Sequence, residues 1–449
     1  DRVFSFFVNN ILSGIKTLFY NDVSTGLNAV ARPIARMTGG AVTLNSKQFK
    51  KGVYQLLGLG KTLAEAEVAA KRSFKENIEL LEGATKLEQG SEQLPSFRIG
   101  ALFDTADERH VATRFIETMG GVLELPGRVL KYRDEAWKQH SFRAYMYADM
   151  MMKNGDKGEA WVRKNIREAA EDPLGWIQRM SDSGELDLDD AIEMVEEAIG
   201  EARKATFTEA PTGVAGDAFE GIRMLRRIPG VRYVIPFVRT PINIFTQAIR
   251  QTPAGVGPLM VTGWKKLRGL PYDRMTDDEI TQRVGGIVIG TTFMATAYGM
   301  WEMGLITGAA PNNPNERKAW YTAGNVPYAI KVGDTWIQYG RLEPFATIIG
   351  MTVDGITIAN DPNTEGSEAG RIMSGIAHAV TEATQEKTFL QCLSQALQAI
   401  QNPSNFQRLA GNITEGFIPF SSFLRQTTQT LTGSMVYSDG PVLDRISKF

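Results

Sequence analysis

The stretch FSFFVNNILSGIKTLF, residues 4–19, sets the pattern that most of the chain follows. Its large apolar residues stand at 4, 7, 8, 11, 12, 15, 18 and 19, three and four positions apart, as on one face of an α-helix. The spacing predicts an amphipathic helix here and a second helix from Asn21 and Asp22 to Arg36, ending at Gly39 and Gly40. The apolar face can pack against other helices or lie in a membrane interface, and the residues leave both open.

Length and composition bound the problem without solving it. The chain has 449 residues, enough for two or three ordinary domains, and a formal net charge of -2. Because the charges balance, no global field indicates nucleic acid or membrane, and any electrostatic signal must be local. The single cysteine, Cys392, excludes an internal disulfide framework. Since the first residue is Asp1, we expect a piece of a longer protein.

Helical periodicity continues beyond the first forty residues. We expect a helical pair over 45–90, divided near Gly58 and Gly60, and a long helix over 108–154, interrupted at 120–121 and 125–128. Residues 327–340 alternate around Gly333 and Asp334 and predict a β-hairpin, after which helix returns from Pro344. The predicted fold is mainly α, an elongated assembly of helical segments with one small hairpin. Loops at 90–100 and 361–370 and shifts in composition divide it into regions 1–95, 96–220, 221–310 and 311–449.

The near-zero net charge conceals two segregated runs. Residues 181–202 hold nine acids and no base, and residues 221–271 hold nine bases and no acid. The acidic run lacks the glycine that a calcium loop needs at its sixth position, so it predicts a solvated helix that starts at 187–190. The basic run is the local signal that an anionic partner would need.

Searches for a catalytic or ligand motif find none. GLGKT, residues 58–62, has the tail of a phosphate loop, but Gln55 stands where a glycine is required and the preceding run is helical. The three histidines, His110, His140 and His378, are far apart in sequence and from Cys392. The sequence therefore names no catalytic, cofactor or metal residue, and we expect a non-enzymatic chain without a cofactor.

Three prolines punctuate the basic stretch RIPGVRYVIPFVRTPINIF, residues 227–245. Proline fixes its own backbone and extends the preceding residue, so 227–238 predicts an extended connector, with Thr240 and Pro241 starting a helix. The Pro-Phe joint recurs at 342–345 and 417–420. Mixed basic and apolar residues suit lipid head groups or nucleic-acid phosphate; a joint whose arginines are solvated or paired with the 181–202 acids is the alternative. The candidate membrane or partner contacts are Phe4, Phe7, Phe19, Arg227, Arg232, Tyr233, Phe237, Arg239 and Phe245.

The segment VGGIVIGTTFMATAYGMW, residues 284–301, carries no charge over 18 residues. As a helix it would be about 27 Å long, just short of a hydrocarbon core of about 30 Å. It fits a membrane span, a buried core helix or a segment that inserts conditionally. Small residues recur along it in a spacing that allows close helix packing: Gly286, Gly290, Ala295 and Gly299.

Six blocks in order along the chain resemble the large internal virion proteins, or ejection proteins, of tailed bacteriophages. They are FFVNNILSGIKTLFYN at 6–21, LPGRVLKYRDEAWK at 125–138, ATFT at 205–208, IPGVRYVIPFVRTPINI at 228–244, GNVPYAIKVGDTWIQYGRLEPFA at 324–346 and FIPFSSFLRQ at 417–426. The resemblance implies a non-catalytic protein, packed in the capsid near the portal and ejected to form a conduit across the host envelope. It also implies contacts with other ejection and portal-proximal proteins and with host membrane. The apolar helix faces favour homo-oligomers, and the basic stretch favours non-specific contact with DNA. An enzyme-bearing virion protein, peptidoglycan-cleaving or nucleotide-dependent, and a static head or tail component remain alternatives.

Overall fold

The computed structural model describes residues 2–76, 81, 111–227, 231–268, 275–311 and 313–360, with 417, 420, 422–424, 426 and 427. Over these residues the chain is mainly α-helical with one two-stranded sheet, which confirms the predicted fold class. The helices are α1 (Arg2–Leu12), α2 (Ile15–Val42), α3 (Ser46–Lys61), α4 (Leu63–Glu76), α5 (Val111–Asn154), α6 (Glu159–Glu171), α7 (Pro173–Asp182), α8 (Leu188–Ala205), α9 (Val214–Leu225), α10 (Val231–Val234), α11 (Arg239–Arg250), α12 (Val256–Leu267), α13 (Asp277–Glu302), α14 (Pro314–Thr322) and α15 (Phe345–Ala359).

The first two helices divide at a different place from the prediction. The break lies at Ser13 and Gly14, inside the predicted first helix, and α2 then runs on without a stop through Gly39 and Gly40. The glycines serve close packing instead of termination. A methyl group on Gly39 would overlap the Thr281 carbonyl of α13, and one on Gly40 would overlap the Phe49 main chain of α3. A sequence pattern cannot distinguish a glycine that ends a helix from one that admits a neighbour.

Helix α5 is the central element and is continuous over 44 residues. The interruptions predicted at 120–121 and 125–128 are therefore wrong. Pro126 lies inside the helix, and the Gly127 amide donates to Asn9 Oδ1 of α1 at 2.9 Å, so this part of α5 forms a docking point for α1. The predicted division of the 45–90 pair is close, since α3 ends at Lys61 and α4 begins at Leu63.

The largest core forms where α5 meets α6, α7 and α8. Its fully buried aromatic residues are Phe142, Tyr145, Tyr147 and Trp176, and Met146, Met150 and Met194 fill the space among them. Helix α8 begins after Asp187 as predicted, but it is not solvated all round. Ala191, Met194 and Ala198 lie in the core, so the helix is amphipathic and its acids divide between solvent and the interior.

The small sheet is the predicted hairpin. Strand β1 (Ala329–Val332) pairs antiparallel with β2 (Thr335–Gln338) through a two-residue turn in which Gly333 has φ of 61°, a conformation that glycine adopts without strain. After it, α15 begins at Phe345 directly beyond Pro344, as predicted. The predicted loops at 90–100 and 361–370, with His110, His378 and Cys392, lie outside the described residues. The four-region division stays a prediction.

Candidate functional site

An aromatic cluster unites three segments that are far apart in sequence. Phe4 and Phe7 of α1 are 5% and 3% exposed, and Tyr233 meets them edge-on with ring centroids 5.7 and 5.3 Å away. Phe417 closes the group at 5.3 Å from Phe7 and 5.6 Å from Tyr233, and Phe237 packs against the same cluster. Two of the three predicted Pro-Phe joints thus supply rings to one cluster.

The short segment around Phe420 closes the break between α1 and α2. The Phe420 amide donates to Asn10 Oδ1 at 3.2 Å, and the Ser422 hydroxyl donates to the Ile11 carbonyl at 2.9 Å. The Lys16 amide, at the start of α2, donates to Gln426 Oε1 at 3.0 Å. The segment therefore satisfies polar groups that both helix ends would otherwise leave open.

The basic stretch is less extended than the sequence predicts. Val231–Val234 forms a helical turn, α10, and α11 begins at Arg239, before Thr240. Arg232 lies over the Phe4 ring at 5.4 Å, and Arg239 lies over Phe219 at 5.6 Å. These cations stack on aromatic faces inside the fold, an arrangement that the spacing of prolines did not reveal.

The predicted contact residues therefore divide into a covered group and an exposed group. Phe4 and Phe7 are buried, the half-buried Tyr233 and Phe237 pack against their cluster, and the half-buried Phe245 packs against Met351 of α15. Phe19 is 59% exposed and Arg227 is also exposed. The surface that this fold offers to a partner consequently lies mostly away from the aromatic cluster.

A buried ionic network binds α13 to the bundle. The Arg36 guanidinium, fully buried on α2, donates to Asp278 Oδ1 at 2.7 Å and Oδ2 at 2.9 Å, and also donates to Gln55. Arg32, one turn earlier, donates to both Glu201 oxygens at 2.8 and 2.6 Å and to Gln282 Oε1 at 2.8 Å. These contacts join α2, α3, α8 and α13, so they fix the base of α13 in a specific register.

Lys51 and Tyr145 extend this network into α5. Lys51 Nζ donates to the Tyr145 hydroxyl at 2.8 Å and pairs with Asp149 at 2.8 Å, and the Tyr145 hydroxyl donates to Glu197 at 2.6 Å. Burial acts to raise the pKa of Glu201, but the charges of Arg32 and Arg36 and the hydrogen bond from Arg32 together outweigh burial, so the pKa is lowered. Burial raises the pKa of Tyr145, and Asp278 adds to the rise. The network thus holds a charged carboxylate and a neutral phenol across the accessible pH range.

Glycines give the α2–α13 contact its closeness. A methyl group on Gly285 would overlap the Ala35 carbonyl, and one on Gly290 would overlap the Gln251 carbonyl. Gly286 lies against the Gln251 side chain, whereas Ala295 is exposed and Gly299 has open space beside it. Of the predicted small-residue series, the first two members pack closely and the last two do not.

The rest of α13 is only partly covered. Between 286 and 301 the exposed residues are Thr291, Thr292, Ala295, Thr296 and Tyr298, and the large aliphatic side chains are half-buried. Among the described residues, Asp277–Glu302 is the helix whose length and composition are sufficient to cross a membrane, with a mean hydropathy of 1.2 in its most apolar window. Only 22% of that window is buried, well short of what a core helix shows. Near the Ala297 end, α15 contacts it, and Phe293 meets Phe345 with centroids 4.8 Å apart.

Helix α12 is a surface that the sequence analysis missed. Its residues Val256, Met260, Val261 and Trp264 are 36%, 69%, 52% and 50% exposed. The helix follows a 3-10 turn, Pro253–Gly255, and Arg268 at its end stacks on Trp264 at 4.8 Å. The sequence does contain a signal for this surface, since apolar residues at 256, 260 and 264 are followed by Lys265, Lys266 and Arg268. The prediction instead placed the contact surface at 227–245, where prolines interrupt the basic stretch.

No chemistry-bearing cluster emerges in the described part of the chain. Within it, no group of three or more His, Cys, Asp or Glu side chains is arranged to hold a metal ion. His140 is buried beside Trp137, with Glu67 Oε1 4.0 Å from its Nε2, and burial lowers its pKa to about 4. No known protein family, curated protein or solved structure matches the chain.

Proposed function

We propose that this chain is the helical, non-catalytic part of an internal virion protein of a tailed bacteriophage. It is packed in the capsid near the portal and leaves with the genome. It then joins identical copies of itself and other ejection proteins in a conduit across the host envelope. The proposal rests on the ordered series of sequence blocks and on one observation of the fold. That observation is the apolar face of α12, on which Met260, Val261 and Trp264 are exposed.

The exposed apolar face of α12 supports this role because of its position in the fold. The base of α13 is fixed by Arg36 and the glycine contacts, and the turn that starts α12 contacts α13, so the exposed face of α12 is attached to a packed bundle. A soluble protein that acts alone rarely exposes a contiguous apolar surface of this kind. A protein that is stored in one assembly and then built into another needs surfaces of this type, to be covered by a different neighbour at each stage.

The test follows the chain through infection. An antibody against the purified chain is used on full particles, on particles emptied of DNA, and on the envelope fraction of freshly infected cells. We expect the chain in full particles and in the envelope fraction, and its loss from emptied particles. Retention in emptied particles would instead identify a static head or tail component, and absence from full particles would overturn the proposal.

The enzymatic alternative is tested on the same material. The purified, folded chain is incubated with peptidoglycan sacculi and with nucleoside triphosphates, with heat-denatured chain as the control. We expect no release of muropeptides or phosphate above the control. Turnover that the folded chain alone produces would replace a purely structural role by an enzymatic one.

A further inference from the structure

Helix α12 presents its apolar side outward. Val256, Met260 and Trp264 recur every four residues, so they lie along one face of the helix, with Val261 beside them. All four are exposed, and Met260 is the most exposed at 69%. A surface helix of a globular protein normally turns such a face toward the core, whereas this face of α12 is exposed.

The helix is held in this orientation by its entry turn. The Gly255 amide donates to the Thr252 carbonyl at 2.9 Å, and a methyl group on Gly255 would overlap the Arg250 carbonyl. The turn contacts both α11 and α13, so it fixes the start of α12 against two other helices. The outward apolar face is therefore a property of the packed fold.

The charged residues of α12 and of the sequence around it are all basic. Lys265, Lys266 and Arg268 follow Trp264, and no acid occurs from 221 to 271. The guanidinium of Arg268 lies over the Trp264 ring, so a cation and the indole share the exposed end of the helix. Tryptophan with adjacent lysine and arginine is typical of helices at the boundary between head groups and acyl chains.

We infer that α12 docks in the plane of an anionic lipid surface, with Met260, Val261 and Trp264 entering the acyl boundary and Lys265 and Arg268 contacting the head-group phosphates. This inference rests on the proposed function and names the partner of its exposed surface. The alternative anionic partner, DNA, fits less well. Met260 and Val261 have no hydrogen-bond donors for phosphate, and a nucleic-acid groove would leave their apolar surface without a matching contact.

The experiment uses the full chain and vesicles of phosphatidylcholine alone or mixed with phosphatidylglycerol, separated by flotation at low and high salt. Two double variants test the face. The first combines Met260→Ser with Trp264→Ser, and the second combines Lys265→Glu with Arg268→Glu. We expect binding to the anionic vesicles at low salt, weakened by high salt. Each double variant should bind about 30-fold more weakly, the first through lost apolar contact and the second through lost charge attraction.

Matched variants elsewhere control for general effects. Lys47→Glu with Lys71→Glu changes the net charge equally on α3 and α4, where both lysines are exposed. Leu174→Ser removes an apolar side chain that is 80% exposed on α7. Both controls should bind like the wild type, and circular dichroism should give the same helical content and melting temperature for every variant compared.

Four results would overturn the inference. The first three are failure of the folded wild type to float, equal losses in the α12 variants and the controls, and equal binding to neutral and anionic vesicles. The fourth is binding to duplex DNA, measured in parallel, that exceeds vesicle binding and depends on the same residues. Loss of vesicle binding leaves the particle test of the proposed function intact, and failure of the particle test leaves the vesicle result intact, so the two can fail separately.

Discussion

The base of α13 and helix α12 differ in which kind of residue is buried and which is exposed. At the base, the Arg36 guanidinium is fully buried and reaches Asp278, Gln55 and the Tyr145 ring. On α12, the indole of Trp264 and the thioether of Met260 face outward. One region hides charge and the other exposes apolar surface, although the two are joined through α13.

The difference separates residues that fix the packing of the helices from residues that form an exposed contact surface. A buried ion pair contributes little net stability but is costly to break, so it specifies one arrangement of helices. An exposed apolar face contributes little to folding but much to association. The expected effects below run from the largest to the smallest. Three of the four predictions concern these two regions, and one concerns the buried His140 of α5.

Breaking the Arg36–Asp278 pair should have the largest effect. Arg36→Ala leaves a partly buried carboxylate without its partner, so we expect the free energy of unfolding to fall by about 3–5 kcal/mol in urea denaturation. Replacing the pair together, with Arg36→Met and Asp278→Leu, should recover most of the loss. The exposed pair of Lys164 and Glu168 is the control, and Lys164→Ala should cause no measurable change. A small loss for Arg36→Ala would mean that the network does not anchor α13.

Acid should weaken the bundle through His140. Burial lowers the pKa of this imidazole to about 4, below the usual value near 6.5, although Glu67 opposes the effect. Because the unfolded chain binds the proton more readily, the stabilisation is complete above about pH 6.5 and is lost as the pH falls toward 4, in total about 3 kcal/mol.

The measurement is the difference in unfolding free energy between the wild type and His140→Gln at a series of pH values. The unfolding free energy of the wild type minus that of the variant should fall on acidification over this window. Glu135, whose pKa burial raises, titrates in both proteins and cancels in the comparison. A difference that is constant with pH would show that His140 does not gain its proton in this range.

Glycine substitutions should distinguish the two halves of α13. Gly285→Ala places a methyl group against the Ala35 carbonyl and should cost about 1–3 kcal/mol in thermal or urea unfolding. Gly299→Ala, at a position of the same helix with open space beside it, should be neutral or stabilise by up to about 1 kcal/mol, because alanine favours helix. Equal losses at both positions would mean that Gly299 is packed as tightly as Gly285.

The smallest change in stability is expected on α12. Met260→Ala should change the free energy of unfolding by no more than about 0.5 kcal/mol, since the side chain is 69% exposed. Met194→Ala, at 1% exposure in the α5–α8 core, is the matched control and should cost about 2–5 kcal/mol. If Met260→Ala were as costly as the control, α12 would be a structural helix and its face would not be free for a partner.

Local pattern was sufficient for much of the secondary structure. The spacing of apolar residues predicted helices, and Gly333 with Asp334 predicted the hairpin turn, because both signals depend on near neighbours in sequence. Several errors occurred where glycine or proline was interpreted as a stop. Gly39 and Pro126 lie inside helices at points where a helix from a distant part of the chain packs, and Gly40 lies against the neighbouring helix α3.

The candidate surface was harder to predict than the fold. The sequence singled out a basic and aromatic mixture at 227–245 but could not show that Tyr233 and Phe237 would be covered by Phe7 and Phe417. The exposed face of α12 has the same composition as a core-facing helix. Only its packing partners decide which way it turns, and periodicity does not contain them.

The sequence by itself determined that this chain is helical, where its hairpin turns and that its bases are segregated from its acids, since each follows from residues near one another. The tertiary structure decided which apolar helix faces lie in the core and which lie at the surface. It covered the aromatic cluster of Phe4, Phe7 and Tyr233 and buried Arg36 against Asp278, 242 positions away. It also left the apolar face of α12 exposed. Burial depends on what packs against a residue, and contacts between distant segments form only when the whole chain folds.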